Sequence, residues 1–79
     1  MMTKAKTFIG YIVRSTVGDG HPNMPAGYKC RHYLCTNGEF IHEDFIGPGT
    51  RYAAKIYKTK AGASRVRDGR NIEVEEYYE

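Results

Sequence analysis

Residues 30–43, CRHYLCTNGEFIHE, hold the side chains of this chain that could do chemistry. Two cysteines, two histidines and two glutamates fall within these fourteen positions. Thiolate, imidazole and carboxylate groups are the ligands that zinc takes in proteins, and a cysteine beside a histidine can form a nucleophile with its base. Whether the groups converge on one point depends on the element that positions them.

A β-hairpin is predicted for this stretch by the pair Asn37-Gly38 at its centre. Asn-Gly is the preferred pair for a two-residue type I′ turn, because both central residues of that turn need positive φ. The flanking residues 28–36 and 39–46 are rich in aromatic and β-branched side chains, so we expect them to form the two strands.

The two-residue turn also predicts the register of the hairpin. It places Arg31 opposite Asp44 and His32 opposite Glu43. Each of these complementary cross-strand pairs contributes about 0.2–1 kcal/mol. A slip of one residue would lose both pairs, so their presence supports this register.

The predicted register argues against a metal site. Because side chains alternate between the faces of a strand, Cys30, His32 and Glu43 fall on one face and Cys35 and His42 on the other. Zinc needs converging ligands, and the spacing of the two cysteines is wider than in zinc ribbons. We expect no metal or other cofactor, and no disulfide, since the cysteine side chains point apart.

Catalysis by this stretch is also not expected. Cys35 with His42 could make a nucleophile and its base, but the sequence supplies no group to orient the histidine and no oxyanion hole. We therefore expect a protein that is not an enzyme. A zinc-stabilised small domain stays open as the least favoured hypothesis.

The rest of the chain predicts an α+β domain. Residues 5–16 alternate as a strand that is apolar on both faces and so central, and residues 17–27 form a long loop. Residues 59–69 predict a short helix, and residues 71–79 a final strand. The expected fold is a small antiparallel sheet of three to four strands with one short helix on one face, in the order β-β-β-α-β, forming a single domain over residues 1–79.

Several residues have specific roles in this prediction. Gly10 marks a close approach by another element to the first strand. Thr59 is the expected N-cap of the helix and Gly69 its C′ residue. Glu73 and Glu75 are expected to point away from the core, while the two apolar residues that alternate with them point inward.

Length and composition exclude some classes of protein. The 79 residues allow one domain. The apolar runs are too short for a membrane span or a signal peptide, so we expect a cytoplasmic protein with free thiols. A thin core is expected at this size, and either a monomer or a homodimer is compatible with it.

Charge is unevenly distributed along the chain. Residues 51–70, the basic segment, hold seven lysines and arginines and one acid, Asp68, while the last nine residues hold four glutamates and no base. Clustered bases with interleaved tyrosines suit binding to phosphate or to an acidic protein surface. The predicted partner-binding residues are Arg51, Tyr52, Lys55, Tyr57, Lys58, Lys60, Arg65, Arg67 and Arg70. The alternative is a solvated face that the acidic last strand partly neutralises.

The C-terminal part of the chain resembles that of small phage-encoded proteins. The shared pattern is Ala-x-x-aromatic-x-Thr, a short Ala-rich helix, a glycine and a final alternating strand, carried here by Ala54, Tyr57, Thr59, Ala63, Gly69, Ile72 and Val74. The resemblance covers about a third of the chain and implies a mobile-element origin and a small sheet with one helix. Small phage proteins of this kind, among them anti-CRISPR proteins, act on host machinery.

The resemblance implies a non-enzymatic inhibitor in the host cytoplasm that covers a surface of a host protein or ribonucleoprotein complex. Many anti-CRISPR proteins mimic DNA and are acidic, whereas this chain has a net charge of +3. The alternative function is that of a small nucleic-acid-binding accessory protein that uses the basic segment directly.

Overall fold

The computed structural model describes residues 6–79 and shows the predicted α+β fold. Ala5, where the first strand was predicted to begin, lies outside these residues. The elements are, in order, β1 (Phe8–Ser15), β2 (His32–Leu34), β3 (Phe40–His42), a 3₁₀ turn (Glu43–Phe45), α1 (Lys60–Ser64), a second 3₁₀ turn (Val66–Gly69) and β4 (Ile72–Tyr78).

One antiparallel sheet holds the four strands in the order β3-β2-β1-β4. The prediction that the first strand is central is confirmed. β4 pairs with β1 along its length, from Ser15 opposite Ile72 to Phe8 opposite Tyr78. In contrast, β1 and β2 pair at a single position, Arg14 opposite Tyr33.

Residues 53–57 run along both of these strands where β1 and β2 separate. Ala54 pairs with Cys35 beyond the end of β2, and Tyr57 pairs with Tyr11 of β1. Both hydrogen bonds between the backbones of Tyr57 and Tyr11 are 2.8 Å long. We call residues 53–57 the bridging segment, because it joins the two strands.

Gly10 is the residue that allows the bridging segment to approach β1. A Cβ atom at this position would lie 2.5 Å from the carbonyl oxygen of Tyr57. That separation is too short for any side chain, so the predicted close approach to Gly10 is confirmed.

The predicted register of the hairpin is wrong by one residue. His32 lies opposite His42 and Leu34 opposite Phe40. The predicted pairs of Arg31 with Asp44 and of His32 with Glu43 are therefore not formed.

The physical reason for the shift is the turn. The N–H of Gly38 donates to the carbonyl of Cys35 at 2.9 Å, and the N–H of Cys35 donates to the carbonyl of Glu39, so the loop has three residues. Gly38 has φ of 87°, and Asn37 is not among the residues with positive φ. The observed loop is the three-residue hairpin loop in which a type I turn is followed by a glycine in the left-handed conformation. It is not the predicted two-residue type I′ turn.

The helix is shorter than the predicted residues 59–69. Thr59 is its N-cap as expected, since its hydroxyl accepts the N–H of Gly62 at 3.0 Å. The α-helix ends at Ser64, because Arg67, Asp68 and Gly69 have φ of 51°, 55° and 74° and cannot continue it. Gly69 thus ends the 3₁₀ turn and not the α-helix.

The hydrophobic core lies between the sheet and α1. Its buried members are Val13, Leu34 and Ala63. Half-buried side chains complete it: Tyr11, Phe40, Tyr57, Val66, Ile72 and Val74. Ala63 and Val66 thus pack against the sheet from the helical region, and the inward positions expected for the alternating residues of β4 are confirmed. No helix within residues 6–79 has the length and apolar character to cross a membrane.

Candidate functional site

The one-residue shift in register changes which reactive side chains of residues 30–43 share a face of the hairpin. His42 lies on the face of Leu34 and His32, and its ring meets that of His32 edge to face at 5.2 Å. The predicted pairing of Cys35 with His42 on one face is therefore wrong. Glu43 contacts Arg31, with 2.9 Å between the carboxylate and the guanidinium.

Cys30 and His32 are in contact. The Sγ atom of Cys30 lies 2.7 Å from Nδ1 of His32. The cysteine is nevertheless 6% exposed, and a Cβ atom on Gly18 would lie 3.3 Å from its sulfur. The contact between Cys30 and His32 has the geometry of a nucleophile and its base. However, the loop of residues 17–27 packs against Cys30 at Gly18 and leaves little room for a substrate at the thiol.

Cys35 is fully buried, and burial raises the pKa of its thiol, which lowers the fraction of reactive thiolate. Both cysteines are free thiols. Across residues 6–79, no three His, Cys, Asp or Glu side chains come together in a geometry that could hold a metal ion.

Arg14 forms the main polar cluster of the fold, on the face of the sheet opposite to the core. It is 3% exposed and contacts Asp19 at 2.8 Å, Glu75 at 3.2 Å and Glu73 through a short hydrogen bond. Its guanidinium also donates to the carbonyl of Cys30 at 2.6 Å. The hydrogen bonds that Arg14 donates to Asp19 and Glu73 hold its pKa above the ordinary value, although burial acts to lower it.

Asp19 connects this cluster to the predicted loop of residues 17–27. Its carboxylate accepts the backbone N–H of Cys30 at 2.6 Å in addition to the guanidinium of Arg14. These hydrogen bonds, from Arg14 first, lower the pKa of Asp19. The loop is therefore fixed at its base by a charged residue that the sequence analysis did not assign a role.

The cluster changes the interpretation of the acidic last strand. Glu73 and Glu75 do lie on the side away from the core, as expected, but both are paired with Arg14 and neither is an unpaired carboxylate. Glu73 is directly opposite Arg14 in the register of β4 and β1. The sequence signal for this cluster was a single base inside an apolar central strand.

The charged side chains of the basic segment lie on the surface. All seven of its lysines and arginines are exposed. None of them forms an ion pair with any residue in the range 6–79, where the only ion pairs involve Arg14, Arg31 and His42. Two of the four carboxylates expected to neutralise this segment, Glu73 and Glu75, bind Arg14 instead.

The tyrosines of the basic segment are less available than its bases. Tyr57 is half-buried against the core, with the ammonium of Lys55 5.3 Å from the centre of its ring. Tyr52 is half-buried and pairs with Ile46. The guanidinium of Arg67 covers the ring of Phe40 at 4.7 Å, so Arg67 stabilises the packing at β3 while one side of its charge faces solvent.

The structure does not gather the predicted residues into one pocket. Arg51 and Tyr52 lie in the loop before the bridging segment, and Lys55 and Tyr57 lie within it. The other bases lie on α1 or shortly before or after it. The seven bases among them share exposure to solvent and not a common pocket. Comparison with protein-family models, with characterised proteins and with solved structures finds no match to the chain.

Proposed function

We propose that the protein is a non-enzymatic binding protein whose basic segment docks on an acidic surface of a partner. The observation behind this proposal is that the seven bases between Arg51 and Arg70 have no ion partner within residues 6–79, while Glu73 and Glu75 bind Arg14. Clustered like charges without counter-charges repel one another, which lowers stability and favours an acidic partner.

The resemblance to small phage-encoded inhibitors suggests what that partner is. It would be a host defence complex, such as a CRISPR effector, or another host machine in the cytoplasm. Such a complex offers acidic side chains or the phosphates of a bound RNA. The protein would inhibit by covering a surface that the complex needs, so binding at a one-to-one ratio would be sufficient.

A second candidate, direct binding of single-stranded nucleic acid, is favoured by one observation. Phe8 and Tyr78 are 46% and 44% exposed, and the ring of Phe8 meets those of Tyr78 and Tyr11 at 5.4 and 5.3 Å. Tyr11 pairs with Tyr57 of the basic segment, so this aromatic cluster borders the bases. Exposed rings beside clustered bases are the elements with which proteins stack and hold single strands.

The first prediction concerns a charge-reversed variant, Lys58→Glu with Arg65→Glu. Both side chains are exposed, so the fold should persist. Because two positive contacts become repulsive, we expect binding of the partner recovered from host lysate to weaken by at least about a hundredfold, or about 2.7 kcal/mol. The matched control is Lys6→Glu with Lys29→Glu, which changes the net charge equally outside the basic segment and should keep most of the affinity.

Salt dependence separates the two candidate functions. Direct nucleic-acid binding loses about 10³-fold or more in affinity between about 50 and about 200 mM salt when six or more phosphates are contacted. A protein partner should give a shallower slope and should be recovered with nuclease-treated lysate. If the two double variants weaken binding equally, or if neither a complex nor nucleic acid binds at low salt, the proposal is wrong.

A further inference from the structure

An open apolar groove lies on the face of the sheet that carries Arg14, opposite to α1. Its volume is about 640 Å³. The floor and walls come from β1, β2, β4, the bridging segment and the turn after β3. The side chains that matter most are Ile12, Tyr33, Ile46, Ala54, Ile56 and Tyr77.

The bridging segment makes this groove. Because Ala54 pairs with Cys35 and the segment then crosses to Tyr11, it forms one wall between the diverging strands. Ile46 is held at another wall by its pairing with Tyr52. Ile56 is 42% exposed, so a large apolar side chain faces solvent beside the groove and has no cover within residues 6–79.

The groove has a negative character. Among residues 6–79, the charged side chains that line it are Glu43 and Glu79, and no lysine, arginine or histidine of that range does. Glu43 is paired with Arg31 outside the groove, whereas Glu79 forms no ion pair with residues 6–79. The rings of Tyr33 and Tyr77 add faces that attract a cation.

We infer that this groove binds an extended peptide segment of a partner protein in which a lysine or arginine is flanked by apolar side chains. The apolar side chains would cover Ile12, Ala54 and Ile56, and the cation would lie near Glu79 and the tyrosine rings. The volume is within the range of about 300–1,000 Å³ found for ligand sites. The basic segment attracts the opposite charge, so the groove is a second binding surface whose existence does not depend on the proposed function.

The test is selection of peptides from a displayed random library on the wild-type protein, with the variant Ala53→Trp as the negative selector. Ala53 is exposed and lines the groove, so an indole there should fill it while the backbone of residue 53 keeps its hydrogen bond to Thr36. Ala53→Leu serves if circular dichroism shows that the tryptophan variant does not fold.

We expect the selected peptides to share a basic residue between apolar ones and to bind Ala53→Trp at least about tenfold more weakly than wild type. Replacing the basic residue of the peptide by glutamine, or Glu79 by Gln, should weaken binding about threefold to tenfold. Arg65→Glu, on the other side of the sheet, should bind these peptides as wild type does, which separates this test from that of the basic segment.

Three outcomes would overturn the inference. The first is that no peptide is enriched on wild type over Ala53→Trp. The second is that the enriched peptides lack a basic residue. The third is that sedimentation shows a wild-type dimer that Ala53→Trp dissociates, because the groove would then bind a second copy of this chain.

Discussion

Arg14 combines a full charge with an exposure of 3%. An isolated buried charge would be costly, and here three carboxylates and two backbone carbonyls compensate for it. The carboxylates themselves reach water, with side-chain exposures of 29% for Asp19 and 48% for Glu73. Water therefore weakens each ion pair, but removing the carboxylates would leave a buried charge without compensation.

The stability of this cluster should depend on pH. Hydrogen bonds from Arg14 hold the pKa of Asp19 below its ordinary 3.8 and that of Glu73 below its ordinary 4.5. The unfolded chain thus binds protons more readily at these sites, and the stabilisation present above the ordinary pKa is lost as the pH falls through the lower folded values. We expect the urea midpoint to decline below about pH 4.5.

Arg14→Met is the variant that tests this assignment. It should lower the free energy of unfolding at neutral pH by about 2–3 kcal/mol, less than for a pair shielded fully from water. Its urea midpoint should also fall less steeply in acid, since the part of the lowered pKa of Asp19 and Glu73 that Arg14 causes is then lost. An equally steep fall in wild type and Arg14→Met would assign the acid sensitivity to other groups.

At the scale of elements, the bridging segment is the part of the fold that was not predictable from periodicity. Residues 55–58, KIYK, have a brief extended pattern, but the pairing of such a short segment depends on which strands separate enough to receive it. Gly10 gave the stronger signal, because a glycine inside a strand marks a close backbone approach. The partner in that approach became known only from the fold.

Gly10→Ala should therefore be destabilising. The added methyl group would lie 2.5 Å from the carbonyl oxygen of Tyr57, so either β1 or the bridging segment must move. We expect a loss of about 1–3 kcal/mol in chemical denaturation. Gly20 has φ of 69°, and no atom lies within 4 Å of a methyl group added there. Gly20→Ala therefore measures backbone strain without a steric contact, whereas Gly10→Ala measures the steric contact. A Gly10→Ala variant as stable as wild type would mean that this contact is loose.

The hairpin shows how far local sequence signals extend. Asn37-Gly38 correctly indicated where the chain reverses, because few other pairs favour a tight turn. It did not decide between a two-residue and a three-residue loop, since both accept a glycine with positive φ at Gly38. The charge pairs that supported the wrong register did not specify it, because Arg31 can pair with either neighbouring acid. In the structure it pairs with Glu43 and not with the predicted Asp44.

The candidate surfaces were predictable to different degrees. The exposed basic segment follows from composition and needs no tertiary information. The Arg14 cluster and the groove depend on β1, β2, β4 and the bridging segment meeting on one face, and no local pattern encodes that meeting. The whole molecule therefore presents a basic surface that the sequence reveals and an apolar, acid-lined one that only the fold creates.

The unneutralised bases should make stability depend on salt. Repulsion among the seven side chains of the basic segment is screened as ionic strength rises, whereas the buried contacts of Arg14 are screened much less. We expect the melting temperature to rise by about 1–3 °C between about 20 and about 300 mM sodium chloride. Lys58→Gln should raise the melting temperature at low salt and reduce this increase, and an unchanged response would show that the bases do not repel one another appreciably.

The pairing of β1 with β4 has a further consequence for how the chain reaches its fold. Phe8 and Tyr78 are opposite each other, although nearly the whole described chain lies between them. Contacts between such distant residues must overcome a large loop-closure entropy before they stabilise anything, and they are associated with slow folding. Asp19 can meet Arg14 early, because it is close in sequence, but Glu73 and Glu75 arrive only with the last strand. We expect docking of β4 to limit the folding rate and to complete the compensation of the buried charge in the same step.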